Sequence, residues 1–128
     1  MDSSKPAKVL VEEEYAKSSS VFEGVVVTVH EASTQSTPNV VTFHVRRGWK
    51  GATENSQMTI YTPANSAACG YYFELDNVYL VYSSSINKED WVNLCGRTMV
   101  ANSDQARTDM EILDNLRNFS FGFRSMSY

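Results

Sequence analysis

Val21-Phe22-Glu23-Gly24-Val25-Val26-Val27-Thr28-Val29-His30 is the stretch of this 128-residue chain that decides its fold. Five valines, a phenylalanine and a threonine in ten residues favour an extended backbone. Alternation predicts Val21, Val25, Val27 and Val29 on one face and Phe22, Val26 and Thr28 on the other, so both faces are expected to be at least partly covered. Gly24, inside the run, predicts a bulge or a sharp coil of the sheet. Downstream, a polar loop over 31–39 leads to Val40–Arg47, where Val41, Phe43 and Val45 point one way and Thr42, His44 and Arg46 the other. Trp49-Lys50-Gly51 closes that strand with a turn. Further strands are expected at Gln57–Thr62, Tyr71–Leu75, Val78–Ser83 and Trp91–Cys95, separated by Pro63-Ala64-Asn65, Asp76-Asn77 and Asn87-Lys88.

Around this β region the ends differ. Residues 1–8 (MDSSKPAK) read as an extended arm. Val9–Ser18 suits a short helix, with Glu12, Glu13 and Glu14 in its first turns and Val11 and Tyr15 on one face. A second helix is expected from Asp104 to Asn118, capped by Ser103, with Ala106, Met110, Leu113 and Leu116 or Arg117 at helical spacing. Phe119–Tyr128 forms an aromatic, serine-rich tail that could add as a strand to a partner or to its own sheet. The organisation is therefore an arm at 1–8, one domain at 9–118 and a tail at 119–128. The fold class is mainly β: a small closed barrel of about five strands with a helix at each end.

The chain is 42% hydrophobic and 12% aromatic, enough to bury its own core, while eleven Lys+Arg against fifteen Asp+Glu leave a net charge of −4. An acidic balance disfavours nucleic acid and anionic membranes as partners. No apolar run approaches the roughly 18–20 residues of a membrane helix, so no membrane insertion is expected. The chain opens without a basic-then-apolar signal segment, and any such segment is expected to have been removed.

Enzyme templates fail on the residues. No phosphate-binding glycine loop, Gly-x-Ser-x-Gly elbow or His-Glu-x-x-His is present, and the only histidines, His30 and His44, fall on different strands. His44 alternates with core residues and reads as a bystander. No catalytic residue, metal ligand or cofactor is expected. Cys69 and Cys95 read as buried thiols, a disulfide, or one nucleophile with His44. Asn118-Phe119-Ser120 matches the glycosylation acceptor pattern.

Ile60-Tyr61-Thr62-Pro63-Ala64-Asn65-Ser66-Ala67-Ala68-Cys69-Gly70, then Tyr79-Leu80-Val81-Tyr82, then Asn93-Leu94-Cys95 resemble the inhibitory domain of the tissue inhibitors of metalloproteinases and their microbial, netrin-like relatives. Val21-Phe22-Glu23-Gly24, Val41-Thr42-Phe43 and Trp49-Lys50-Gly51 resemble that family's first two strands. The resemblance spans residues 9–100 and implies an OB-type Greek-key barrel. In the family, a leading Cys-x-Cys segment chelates the protease zinc through its α-amine and first carbonyl. An α-amine with a pKa of about 7.7–8.0 can give up its proton to a metal near neutral pH, and catalytic zinc keeps a position open. Here Met1–Pro6 reads MDSSKP, so the residues present carry no Cys-x-Cys.

What the resemblance implies is a secreted, non-enzymatic binding module, monomeric, whose partner is a protein such as a zinc metalloproteinase. Inhibition would proceed by insertion of an edge made of Met1, Asp2 and Ser3 with Asn65, Ser66, Ala67, Ala68, Cys69 and Gly70. The small side chains would let a cleft approach the backbone closely. With the family's usual partners absent, Cys69 and Cys95 would bridge each other, contributing roughly 3 kcal/mol on the chain-entropy model. The alternative is a netrin-like interaction module with no protease target.

Overall fold

The computed structural model describes residues 6–34, 37–65, 69–94 and 96–126, with side chains to residue 117. Six strands follow a first helix: α1 (Ala7–Lys17), β1 (Ser20–His30), β2 (Asn39–Lys50), β3 (Gln57–Thr62), β4 (Val78–Ile86), β5 (Glu89–Trp91) and β6 (Met99–Val100); α2 (Asp104–Met126) ends the described chain. The strand order is β1-β2-β3-β5-β4, and β4 pairs back onto β1, which closes a five-stranded barrel; β6 adds to β4 outside it. All pairings are antiparallel except β3 with β5. This is the closed, mainly β barrel with a helix at each end that the sequence predicts.

Closing so short a sheet requires strong coiling, and β1 and β2 supply it through three register shifts, at Val21/Phe22, Glu23/Gly24 and Val26/Thr28. Gly24 stands at the second, as expected: a Cβ there would lie 3.0 Å from the Phe22 ring and 3.1 Å from the His44 carbonyl oxygen. The third shift corrects the expected faces of β1. Val27 is the extra residue, so the alternation changes parity after it; Val29 then packs against the interior cluster and Thr28 faces solvent. Gly51 turns the chain out of β2 at φ +64, where a Cβ would meet the Ser19 carbonyl oxygen at 2.3 Å.

Two hydrophobic clusters result. Inside the barrel, Phe22, Val26, Val41, Phe43, Val45, Ile60, Phe73, Tyr79, Val81 and Val92 are buried together. Phe43 is central, edge-on to Phe22 at 5.5 Å and to Phe73 at 5.1 Å. Outside it, the alternate residues Val21, Leu80 and Tyr82 meet Val11 of α1 and Ala106, Met110 and Leu113 of α2, with Trp49 at the rim. One strand pair thus faces two cores, which is why β1 and β4 are apolar on both sides.

Several boundaries differ from expectation. The segment 71–75 joins no strand, and two of its amides are taken by side chains: Tyr71 N–H donates to Thr62 Oγ1 at 2.8 Å and Glu74 N–H to the Tyr79 hydroxyl at 2.9 Å. The strand expected at Trp91–Cys95 is instead Glu89–Trp91, ending where Trp91 pairs with both Ser84 and Tyr61. Helix α1 starts at Ala7 behind an N-cap Pro6, so Glu12, Glu13 and Glu14 fall past its first turn. Ser103 caps α2, accepting from the Ala106 amide at 3.1 Å. That helix then runs through Met126, and the stretch 119–126 is helical rather than an extended tail.

Candidate protein-binding edge

The chain between β3 and β4 leaves the barrel at Pro63 and returns at Gly70. Its two ends are fastened: Gly70 N–H donates to the Asn65 carbonyl at 3.0 Å, and Tyr71 N–H to Thr62 Oγ1. Gly70 is needed here, because a Cβ would stand 2.2 Å from the Pro63 carbonyl oxygen and 2.9 Å from that of Asn65. Cys69 adopts φ +65, a left-handed conformation that costs of order 1 kcal/mol in a residue with a Cβ. Its carbonyl then accepts the Leu94 amide at 2.7 Å. That bond joins the connector to the chain leaving β5, whose Val92 amide donates to the Tyr61 carbonyl at 2.9 Å. Beneath them Tyr61 and Trp91 stack at 5.6 Å, and the Trp91 indole N–H is buried without a hydrogen-bond partner among the described residues.

Of the expected edge, the structure brings Asn65, Cys69 and Gly70 together. Met1, Asp2, Ser3, Ser66, Ala67 and Ala68 lie outside the described residues, as does Cys95. Leu94 was not singled out as a contact residue, yet it is 57% exposed beside Cys69. An apolar side chain with its amide committed to the connector is a pre-organised contact point. Asn118 lies within α2, where only the backbone is described. His30 pairs with Val40 on β2, while His44 pairs with Val25 and Gln57.

The chain beyond Cys95 is anchored by a buried ion pair. Arg97 donates to Asp109 twice, Nε to Oδ2 at 2.6 Å and Nη2 to Oδ1 at 2.8 Å, and the Tyr82 hydroxyl donates to Oδ2 at 2.9 Å. Asp109 is fully buried, and the Arg97 side chain is 15% exposed. Thr98 completes the clamp: its Oγ1 accepts from the Tyr82 amide at 2.9 Å and donates to the Tyr82 carbonyl at 3.2 Å. Burial, then the adjacent Asp109 carboxylate, pushes the Tyr82 hydroxyl far above its usual range. The hydrogen bonds to Asp109 hold the Arg97 guanidinium above its own. Sequence reasoning missed this group, although Asp109 falls between Ala106 and Leu113 on the apolar face of α2, where a carboxylate has to find a cation.

A second cluster braces α2 about one and a half turns further along, at Asp114. Arg47 donates to both Asp114 oxygens at 2.6 and 2.7 Å, and the Trp49 indole N–H reaches Oδ1 at 2.9 Å. The Arg47 guanidinium also stands 4.8 Å from the Trp49 ring centre. Burial raises the Asp114 pKa, but hydrogen bonds from Trp49 and Arg47 outweigh it and hold the carboxyl below the usual range.

Among the described residues no group of three or more His, Cys, Asp or Glu is placed to hold a metal ion, and no helix is long and apolar enough to cross a membrane. No family model matches the chain. The curated proteins likewise contain no match.

Proposed function

We propose that this chain is a secreted, non-enzymatic binding module that inhibits zinc endopeptidases by inserting the edge formed by residues 65–70 and Leu94, helped by the arm at Met1, Asp2 and Ser3. The observation that carries this reading is the 2.7 Å hydrogen bond from the Leu94 amide to the Cys69 carbonyl, which draws two segments distant in sequence into one edge. Ends already fastened at Asn65, Gly70 and Tyr71 lose little entropy when the edge enters a cleft.

The same bond supports a bridge between Cys69 and Cys95. The arm has the reach to join this edge. The α1 residue facing the segment after Cys95 is Glu14, whose Oε2 is 3.8 Å from where a Gly96 Cβ would be. Pro6 lies about 12 Å up the helix from Glu14 at 1.5 Å per residue, a gap that five extended residues, reaching roughly 17 Å, can span. With no Cys-x-Cys in Met1–Pro6, the bulk of the affinity falls to the connector rather than to zinc chelation.

The test is inhibition of a panel of zinc endopeptidases by the purified chain. Inhibition at micromolar concentration, abolished by Leu94→Asp together with Asn65→Ala while thermal stability is retained, is the expected result. No inhibition of any member, even after a Cys-x-Cys start is restored, overturns the reading.

A further inference from the structure

A second surface lies where the barrel leaves one side of β1 open. β4 covers β1 only from Ser20 to Val25. The next contacts are Val26 N–H to the Asn77 carbonyl at 3.0 Å and Asp76 N–H to the Val26 carbonyl at 2.9 Å. The chain before Asp76 then turns away, Asn77 N–H closing on the Glu74 carbonyl at 3.2 Å. From Thr28 to His30 β1 pairs with β2 alone, and the bulged Val27 before them has no register partner, so alternate backbone N–H and C=O groups face outward with no strand beside them among the described residues.

Opposite that free edge runs the segment 72–75, which forms no strand. Between them is a hollow of about 380 Å³, lined by Val29, Glu31, Tyr72, Phe73, Glu74 and Leu75. Tyr72 is 74% exposed and Leu75 56%, and Val27 on the strand itself is partly open. Glu31 and Glu74 stand on opposite walls, and no basic residue lines the hollow. An unpaired strand edge, flanked by large apolar side chains and bracketed by carboxylates, has a definite complement.

We infer that this edge receives an extended protein segment as an added β-strand, with alternating apolar and basic side chains. Main-chain hydrogen bonds to Val27–His30 supply the attachment. Apolar side chains of the segment cover Tyr72, Leu75 and Val27, and its lysines or arginines meet Glu31 and Glu74. The charge of the walls excludes an acidic segment and selects a basic one. This surface uses none of the edge residues 65–70 or Leu94, and its reading does not depend on a protease.

The probe is an end-capped octapeptide of alternating lysine and valine, titrated into the isotopically labelled full chain and followed by amide resonances. Binding should shift resonances confined to Val27–Glu31 and Tyr72–Leu75. An equivalent glutamate–valine peptide should bind at least about tenfold more weakly at low salt. The double variant Glu31→Lys, Glu74→Lys, both exposed positions, should reverse that preference with an unchanged melting temperature. Leu75→Asn should weaken both peptides without altering the preference. The inference is overturned by no binding, by shifts elsewhere, by equal affinity for the two peptides, or by undiminished binding of a lysine–valine peptide with a central proline. It is also overturned if sedimentation shows a dimer that the double variant dissolves, since the occupant is then a second copy of the chain.

Discussion

Replacing Asp109 by alanine removes the carboxylate that holds α2, β4 and the segment after Cys95 together. The side chain is fully buried and accepts three hydrogen bonds, two from Arg97 and one from Tyr82. Without it a largely buried guanidinium and a buried hydroxyl lose their acceptor. Breaking one side of such a pair costs about 3–5 kcal/mol, against a total stability of about 5–15 kcal/mol for a domain of this size. At roughly 3 °C per kcal/mol, the melting temperature should fall by about 10–15 °C. The triple variant Tyr82→Phe, Arg97→Met, Asp109→Leu removes every polar group together and should lie within about 1–2 kcal/mol of the natural chain, because neither charge is left stranded. Urea denaturation of both variants, with the slope compared so that only the midpoint is read, measures the difference. An Asp109→Ala cost below about 1 kcal/mol, or a triple variant as unstable as the single one, refutes the reasoning.

Phe43→Ala should cost about 3–5 kcal/mol, because its ring is the hub of the interior aromatic cluster and the closed sheet cannot collapse into the gap; chemical denaturation reads it directly. Gly51→Ala should be more damaging than Gly24→Ala, since only the former combines a left-handed backbone with a 2.3 Å backbone clash; melting temperatures of the two variants rank them. Asp114 is depressed in the folded state, so its stabilisation is complete above the unfolded carboxyl value near 4 and fades as pH falls through the lower folded value. Asp114→Asn should therefore lessen the acid sensitivity of unfolding, measured as the denaturation midpoint between pH 5 and pH 2. Tyr82 should stay protonated when exposed tyrosines ionise near pH 10, and titrate with them only in denaturant; ultraviolet difference spectra of Tyr82→Phe against the natural chain isolate it.

The barrel was legible because β1, β2, β3 and β4 each carry a period of two with large apolar residues on the inward face. Gly24 announced its bulge. Val27 did not, because a valine among valines carries no local signal of being the extra residue, and its position flipped the outer half of β1. Tyr71–Leu75 has the alternation of a strand, Tyr71 and Phe73 inward and Tyr72 outward, but pairing depends on what lies alongside, and here Thr62 and Tyr79 take the amides first. Met99–Val100 is too short to show any period. At the candidate edge the sequence named Asn65, Cys69 and Gly70 yet passed over Leu94, whose role follows only from a backbone contact across 25 residues of chain. Asp109 was hidden by its apolar neighbours on α2.

Hydrogen–deuterium exchange of the chain alone and in complex with an inhibited zinc endopeptidase tests the binding edge most directly. New protection is expected over residues 63–70 and 92–95, with α2 and the outer face of β2 unchanged. Protection confined to α2 or to the β2 face, leaving those two segments as exchangeable as in the isolated chain, would contradict it.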